Sequence, residues 1–233
     1  MIGRLASAAV VAGAAAHVAP ALAPLVPGLG SRLGIVQRQD GVDGVTLSFD
    51  DGPHPQGTPI VLEILREAGA QATFFLVGEQ VKRRPALVAE IVAAGHRVEL
   101  HCHRHRNALR LTAGMFLDDA ERGRATIEEA GGQAIAAHRP PYGIYSTNAL
   151  RACRRRGWRP VLWSRWGRDW RGRATARSIA HQATSSARAG DILLLHDADY
   201  YSAPGSWVRT VAALPIILEE LGSRGLKTVS LRR

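Results

Sequence analysis

Between residues 45 and 231 the chain alternates short apolar runs with longer segments of amphipathic, helical periodicity. The runs have the length of buried strands, at 45–49, 72–77, 97–100, 134–138, 160–164, 191–195 and 226–231. Helical patterns lie between them, at 58–68, 85–94, 113–130, 146–156, 174–188 and 207–224. Strands that alternate with helices form a parallel sheet, because each crossover helix packs back on the sheet. The pattern therefore predicts an α/β protein, and a closed or partly closed barrel is the economical arrangement.

Residues 1–42 differ from the domain that we assign to residues 43–233. They combine a run of small apolar residues at 5–16 with prolines at 20, 24 and 27, and the sequence QRQDGVDG leads into the domain. Three interpretations stay open: a secretory signal, a weak membrane anchor, or an Ala-rich helix packed on the domain. The prolines interrupt any span of ~20 apolar residues, which argues against a transmembrane helix. The first two interpretations predict a secreted or envelope-associated protein, whereas the third is compatible with a cytoplasmic one.

The charge of the chain bears on its partners. The formal net charge is +10, and lysine occurs only at Lys82 and Lys227, so arginine supplies nearly all of the positive charge. Without a recognisable nucleic-acid-binding motif, this bias does not predict nucleic-acid binding, although an anionic polymer or membrane surface would be attracted. The two cysteines, Cys102 and Cys153, are too few for a disulfide framework and lack the CxxC spacing of a zinc site.

Ionisable side chains follow five of the predicted strands, at the point where each strand ends. They are Asp50 and Asp51, His101 with His103 and His105, Arg139, Asp169 beside Trp170, and His196 beside Asp197. In parallel α/β barrels the carboxyl ends of the strands share one face, and catalytic groups collect there. The sequence therefore predicts one site at that face.

The segment HCHRHRN at 101–107 is typical of a metal site. Histidines four residues apart in a helical turn share a face, so His101 and His105 are predicted to reach one ion. One carboxylate, from Asp50 or Asp51, would complete a set of two histidines and one carboxylate with open positions for water. His103 is expected to point away from that face, and a His101/His103 pair in an extended segment is the alternative.

FDDGP, the histidine pair, RPPYG, DW and LLLHD, in this order, resemble the five motifs of the polysaccharide deacetylase family, the NodB homology domain. The resemblance covers about residues 43–233. It implies a distorted (β/α) barrel with about seven parallel strands. It also implies a hydrolase that uses a divalent metal, zinc first with cobalt, nickel or manganese as alternatives. The expected reaction removes an N-acetyl or O-acetyl group from an N-acetylglucosamine-containing glycan such as peptidoglycan or chitin oligomers.

The resemblance also assigns roles to individual residues. It makes Asp50 the general base and Asp51 the metal ligand beside His101 and His105. Arg139 would keep Asp50 ionised and oriented, and the backbone amide of Tyr142 would face the oxyanion of the tetrahedral intermediate. The candidate general acid is His196. The acetyl pocket would be lined by Leu194, with Trp163 and Trp170 as candidate walls.

One departure from the family pattern concerns His196. Family members commonly carry an acidic residue three positions before the Asp-Trp pair, whereas this chain has Trp166 there. Either Asp169 becomes the partner of His196, or Asp169 pairs with a neighbouring arginine and the histidine is less basic.

Two other functions stay open from the sequence. One is a deacylase or deformylase of a lipid-linked sugar, which would keep the same residues. The other is a catalytically dead glycan-binding relative. Partners are expected to be an acetylated glycan or a glycolipid, with membrane or envelope association left open.

Overall fold

The computed structural model describes residues 15–131 and 134–232. Its strands are β1 Thr46–Asp50, β2 Ala72–Leu76, β3 Arg97–Leu100, β4 Ala137–His138, β5 Arg159–Pro160, β6 Arg165–Trp166 and β7 Ile192–His196. Its α-helices are α1 Leu29–Arg32, α2 Gly57–Glu67, α3 Gly78–Arg83, α4 Pro85–Ala93, α5 Ala113–Gly131, α6 Thr147–Arg155, α7 Ala176–Thr184 and α8 Ser206–Ser223. Short 3₁₀ turns lie at Ala19–Leu22, Ala108–Arg110 and Pro141–Gly143.

The described strands form one parallel sheet in the order β5-β4-β3-β2-β1-β7-β6. Strand β1 lies in the middle, between β2 and β7, and every residue of it is buried. Strands β1 and β2 are buried on both faces. For this reason they are near-continuous apolar runs in the sequence, as is usual for strands of a parallel sheet. The predicted α/β fold, a distorted barrel of parallel strands, is confirmed.

The segment 159–166 brings the two edges of the sheet together. At one end β5 pairs with β4, and at the other end β6 pairs with β7. Between them, Val36 forms a parallel bridge with Val161. The prediction of one strand at 160–164 was wrong, because the ends of this segment pair with different neighbours and its middle crosses from one to the other.

Two other local predictions differ from the structure. The predicted strand at 226–231 contributes only an isolated bridge between Val45 and Thr228. The helix α3 was not predicted because its 6 residues make fewer than two turns. It ends at Arg83, because the next residue, Arg84, precedes a proline and avoids the α region, with φ of −145° and ψ of 62°.

Side chains alternate between the two faces of the sheet. Leu47 and Phe49 of β1, with Phe74 and Leu76 of β2, belong to the large apolar cluster formed with the helices. Phe75 belongs instead to a smaller cluster, which also contains Val161, Ile192 and Leu231. The polar residues Ser48 and Asp50 have the opposite parity to Leu47 and Phe49, which directs them toward the interior where the site lies.

The described part of residues 1–42 packs on the domain. The hydroxyl of Thr147 donates to the carbonyl of Ala16 at 2.6 Å, and the guanidinium of Arg154 donates to the carbonyl of Leu33 at 2.7 Å. The predicted signal or anchor run begins in residues 1–14, outside the described residues. Among described helices, none has the length and apolarity to cross a membrane. The role of residues 1–42 therefore stays a prediction.

Candidate active site

Asp51, His101 and His105 form a compact cluster of metal-ligating groups. The Oδ1 atom of Asp51 lies 3.5 Å from Nε2 of His101 and 3.2 Å from Nε2 of His105. One ligand atom from each residue lies within 4.8 Å of the others. Burial alone would raise the pKa of Asp51, but its contacts with the two imidazoles hold the pKa well below the usual range. The carboxylate of Asp51 is therefore charged and faces both histidines.

The segment that carries the two histidines is a loop and not a helix, so the helical spacing from which the pair was predicted is wrong. Cys102 adopts a left-handed conformation with φ of 64°, which turns the chain directly after His101. The carbonyls of Cys102 and His103 accept hydrogen bonds from the first amides of α3, at 3.0 and 2.9 Å. The carboxylate of Asp119 accepts from the amides of His103 and Arg104. These contacts hold the loop in shape.

His103 lies outside the cluster. Its side chain is buried near Gly78, and its Nδ1 atom has no hydrogen-bond partner in the described structure. It does not belong to the group of potential ligands formed by Asp51, His101 and His105. The structure therefore brings His101 and His105 together and leaves His103 apart.

The imidazole rings of His101 and His105 are oriented by two different kinds of contact. Nδ1 of His101 lies 2.8 Å from the carbonyl oxygen of Arg139, which can only accept, so Nδ1 carries the proton and Nε2 is free to bind a metal. Nδ1 of His105 is buried, and no described residue forms a hydrogen bond with it. Its ring is instead stacked on Tyr201, with centroids 4.1 Å apart, and meets the ring of Tyr142 edge-on at 4.4 Å.

Tyr201 is a site residue that the sequence did not indicate. It lines the same cleft as the histidines. Its hydroxyl donates to Glu79 Oε1 at 2.6 Å and accepts from the side-chain amide of Gln80 at 2.9 Å. The sequence feature that could have indicated Tyr201 is its position after β7, shortly beyond the LLLHD motif.

Asp50 lies beside the cluster and is paired with Arg139. The guanidinium Nη1 donates to Asp50 Oδ1 at 2.6 Å and to the hydroxyl of Ser48 at 2.9 Å, while Nη2 donates to the carbonyl of Leu162 at 3.1 Å. Arg139 is fully buried, and its guanidinium lies 3.9 Å from the ring centroid of Phe75. Asp50 is therefore fixed by a buried cation, while Oδ2 lies 3.9 Å from Nε2 of His101.

His196, the register partner of Asp50 on β7, lines the same cleft and is held by Asp169. Nδ1 of His196 lies 2.9 Å from Asp169 Oδ1, and the amide of His196 donates to Asp169 Oδ2 at 2.7 Å. The hydroxyl of Thr210 also donates to Oδ2, at 2.7 Å. Burial lowers the pKa of His196, but Asp169, with Asp51 and Asp50 farther off, raises it to about 10. Of the two predicted arrangements, the structure has the Asp169–His196 pair and no arginine ion pair to Asp169 among the described residues.

These groups line one open cleft of about 220 Å³. Its aromatic lining is Trp163, Trp166, Trp170 and Tyr142, and Leu194 lines it as well. Trp163 packs so closely on Gly143 that a side chain at that position would collide with the indole. Tyr142, next to Gly143, has φ of 61° and is 57% exposed, and no described acceptor bonds to its backbone amide. Every residue predicted for the site is thus at this cleft or bonded to a group that lines it.

The comparisons with known proteins agree with this geometry. Residues 37–161 match the family model described as polysaccharide deacetylase. The chain is 35% identical to a chitooligosaccharide deacetylase from Azorhizobium caulinodans, over 84% of this chain and 95% of that protein. It is also 35% identical to a peptidoglycan-N-acetylglucosamine deacetylase from Bacillus cereus, over 80% of this chain and 85% of that one.

Solved structures show the same fold. A peptidoglycan N-acetylglucosamine deacetylase in complex with 4-naphthalen-1-yl-N-oxidanyl-benzamide superposes with a TM-score of 0.81 at 26% identity, covering 88% of this chain and 95% of that one. A family 4 carbohydrate esterase from Streptomyces lividans, in complex with acetate, gives a TM-score of 0.73 at 30% identity, covering 82% and 95%. The chain belongs to the polysaccharide deacetylase family.

Proposed function

We propose that this protein is a metal-dependent hydrolase that removes the N-acetyl group from an N-acetylglucosamine residue of a glycan. The supporting observation is the arrangement of three groups around one cleft. The Asp51–His101–His105 cluster, Asp50 of the Asp50–Arg139 pair and His196 of the His196–Asp169 pair all line this cleft. The deacetylase relatives named above support the same reaction.

The cluster has the properties of a metal site. Asp51 Oδ1 is buried without a hydrogen-bond partner and faces two imidazole nitrogens, a donor set that needs a cation. Two imidazoles and one carboxylate suit zinc, and cobalt, nickel or manganese can take the same donors. We propose zinc. When bound, such a metal lowers the pKa of a water molecule and polarises the acetyl carbonyl.

Asp50 is the proposed general base. It is adjacent to the metal ligand Asp51, yet its carboxylate is paired with Arg139 instead of the two histidines. The buried guanidinium fixes Oδ1 of Asp50, and Oδ2 is the proposed acceptor for the proton that the attacking water loses. Two neighbouring aspartates thereby serve two functions at the end of one strand.

The oxyanion of the tetrahedral intermediate needs a fixed hydrogen-bond donor. The free backbone amide of Tyr142 lies in the turn Pro141–Gly143 at the rim of the cleft. Its left-handed conformation is held by the prolines before it and by Gly143, against which Trp163 packs. A donor fixed in advance stabilises developing charge without reorganisation.

His196 is the proposed general acid. Collapse of the intermediate would expel an amine anion, which is a very poor leaving group unless it is protonated. Asp169 binds Nδ1, which leaves Nε2 to carry the proton toward the leaving nitrogen. Leu194, Trp163 and Trp170 supply apolar surface for the acetyl methyl group.

We further propose that the protein acts at the cell envelope, where peptidoglycan is found. The support is the similarity to a peptidoglycan deacetylase together with the positive net charge, which attracts an anionic polymer.

The experiment that tests the reaction is an assay with chitotetraose as substrate. Released acetate and newly formed free amine are measured together, with and without a chelator and after zinc is added back. Equal amounts of acetate and amine, lost on chelation and restored by zinc, are expected. Turnover that survives complete metal removal would refute the mechanism, and failure to release acetate and amine from the zinc-loaded protein would refute the proposed reaction.

A further inference from the structure

A second groove opens beside the cleft, on the other side of Tyr142. Its volume is about 530 Å³, and it shares His105 and Tyr142 with the cleft. The rest of its lining comes from the loop after β3 and the turn after β4, namely Arg106, Asn107, Arg110, Leu111 and Ile144. Because one exposed aromatic ring separates the two cavities, a polymer with one sugar in the cleft can place a neighbouring sugar in the groove.

The polar groups left without partners in this groove are hydrogen-bond donors. Arg110 is exposed, and its guanidinium makes no hydrogen bond or ion pair with any described residue. Arg106 pairs through Nη2 with Asp119 at 2.6 Å, but its Nε is buried without a partner. The side-chain oxygen of Asn107 accepts a hydrogen bond from the backbone amide of Leu109, so the side-chain NH₂ group is the donor that remains.

The groove also has apolar lining. Leu111, Ile144 and the ring of Tyr142 provide it, and Tyr142 is the most exposed of the three. Apolar surface together with hydrogen-bond donors fits a sugar, whose ring has apolar C–H faces and whose substituents accept hydrogen bonds. No carboxylate lines the groove as described, so the charge of Arg110 favours an anionic substituent there.

We propose that this groove binds a sugar that carries a carboxylate, next in the polymer to the N-acetylglucosamine in the cleft, and that Arg110 recognises that carboxylate. The proposal rests on the proposed deacetylase function and narrows its substrate class. A lactyl ether on the neighbouring sugar, as in N-acetylmuramic acid, supplies the carboxylate, whereas every sugar of a chitin oligomer is neutral. A guanidinium pairs with a carboxylate in a planar, two-bond geometry that amide side chains cannot reproduce.

The test compares three tetrasaccharides of equal length: N-acetylglucosamine alternating with N-acetylmuramic acid, the methyl ester of the same compound, and chitotetraose. None carries a stem peptide, so the lactyl group is the sole source of carboxylate. The wild-type zinc enzyme is expected to prefer the acid over the ester by about fivefold in kcat/KM, the size of one solvent-accessible charge contact. Arg110→Gln should remove that preference by lowering kcat/KM for the acid, with chitotetraose measured in parallel as the neutral substrate.

Arg104→Gln is the matched control. It removes the same charge from the same loop, but Arg104 is exposed and does not line the groove. Titration calorimetry of the three compounds provides a second readout that needs no turnover. Binding that depends on Arg110 without any turnover would support the groove and contradict the proposed reaction. Equal treatment of acid and ester by the wild-type protein would overturn the proposal, and so would equal losses in the two arginine variants.

Discussion

Asp169 contacts His196 twice, through the ring nitrogen Nδ1 at 2.9 Å and through the backbone amide at 2.7 Å. One carboxylate thereby fixes both the position of the strand end and the orientation of the ring. Family members commonly carry an acidic residue at the position of Trp166, and in this chain Asp169 holds His196 without one. Trp166 contributes instead to an aromatic wall, 5.8 Å from Trp163 and 5.5 Å from Trp170 between ring centroids.

Asp169→Asn should lower the activity and move its pH dependence. Asp169 raises the pKa of His196, so its loss lowers that pKa. A general acid must be protonated to act, so activity falls as pH rises through its pKa, and the alkaline limb should move to lower pH. We expect kcat to fall about 10²-fold with little change in KM. The measurement is a pH–rate profile for both proteins.

Thermal unfolding of the same variant separates this role from a structural one. Asp169 is buried and also accepts from Thr210, so some loss of stability is expected. Thr210→Val removes that second hydrogen bond and leaves the contact with His196, which makes it the control. A variant that unfolds earlier but keeps the wild-type pH profile would show that Asp169 only supports the fold.

Asp50→Asn should separate catalysis from metal binding. The amide has the same shape but cannot accept the proton of the attacking water, so kcat should fall about 10²–10⁴-fold. Asp51, His101 and His105 are unchanged, so one metal per protein should still be found by elemental analysis. Loss of the metal from this variant would mean that the two aspartates have exchanged roles.

His105→Ala and His103→Ala should differ in metal content. His105 faces Asp51 at 3.2 Å, whereas His103 lies outside the cluster near Gly78. The first substitution should reduce the bound metal below one per protein, and the second should leave it at one. The opposite result would assign the second imidazole ligand to His103. Since His103 is buried, circular dichroism on both variants serves as the check on folding.

Much of this site could be predicted because each polar side chain follows an apolar run. The strands place Asp50, Arg139 and His196 at one face through a pattern that is local in sequence. The choice of partner for Asp169 could not be predicted in this way. Arg168 is its neighbour in the chain, but the guanidinium of Arg168 lies over the ring of Trp166 at 4.8 Å, and only the folded backbone decides that direction.

Other features depend on contacts between distant segments. The run at 160–164 has the composition of one strand, yet the segment 159–166 that contains it pairs with β4 at one end and with β7 at the other, which no local pattern indicates. The contact between Tyr201 and His105 likewise joins the segment after β7 to the loop after β3. Periodicity describes each segment by itself and therefore cannot show such a contact.

Tyr201→Ala should weaken metal binding although Tyr201 supplies no ligand atom. No described residue forms a hydrogen bond with Nδ1 of His105, so the stacked ring of Tyr201 restricts the rotation of its imidazole. Residues that orient a metal ligand typically change metal affinity about 10- to 100-fold, and we expect the lower end of that range. Tyr201→Phe keeps the ring but loses the hydroxyl contacts with Glu79 and Gln80, so its zinc affinity should stay nearer to that of the wild-type protein.

Zinc affinity is measured by competition with a chromophoric chelator, independently of turnover. Equal affinities in the alanine variant and the wild-type protein would show that stacking does not hold His105. Equal losses in the two variants would instead place the effect in the hydroxyl contacts.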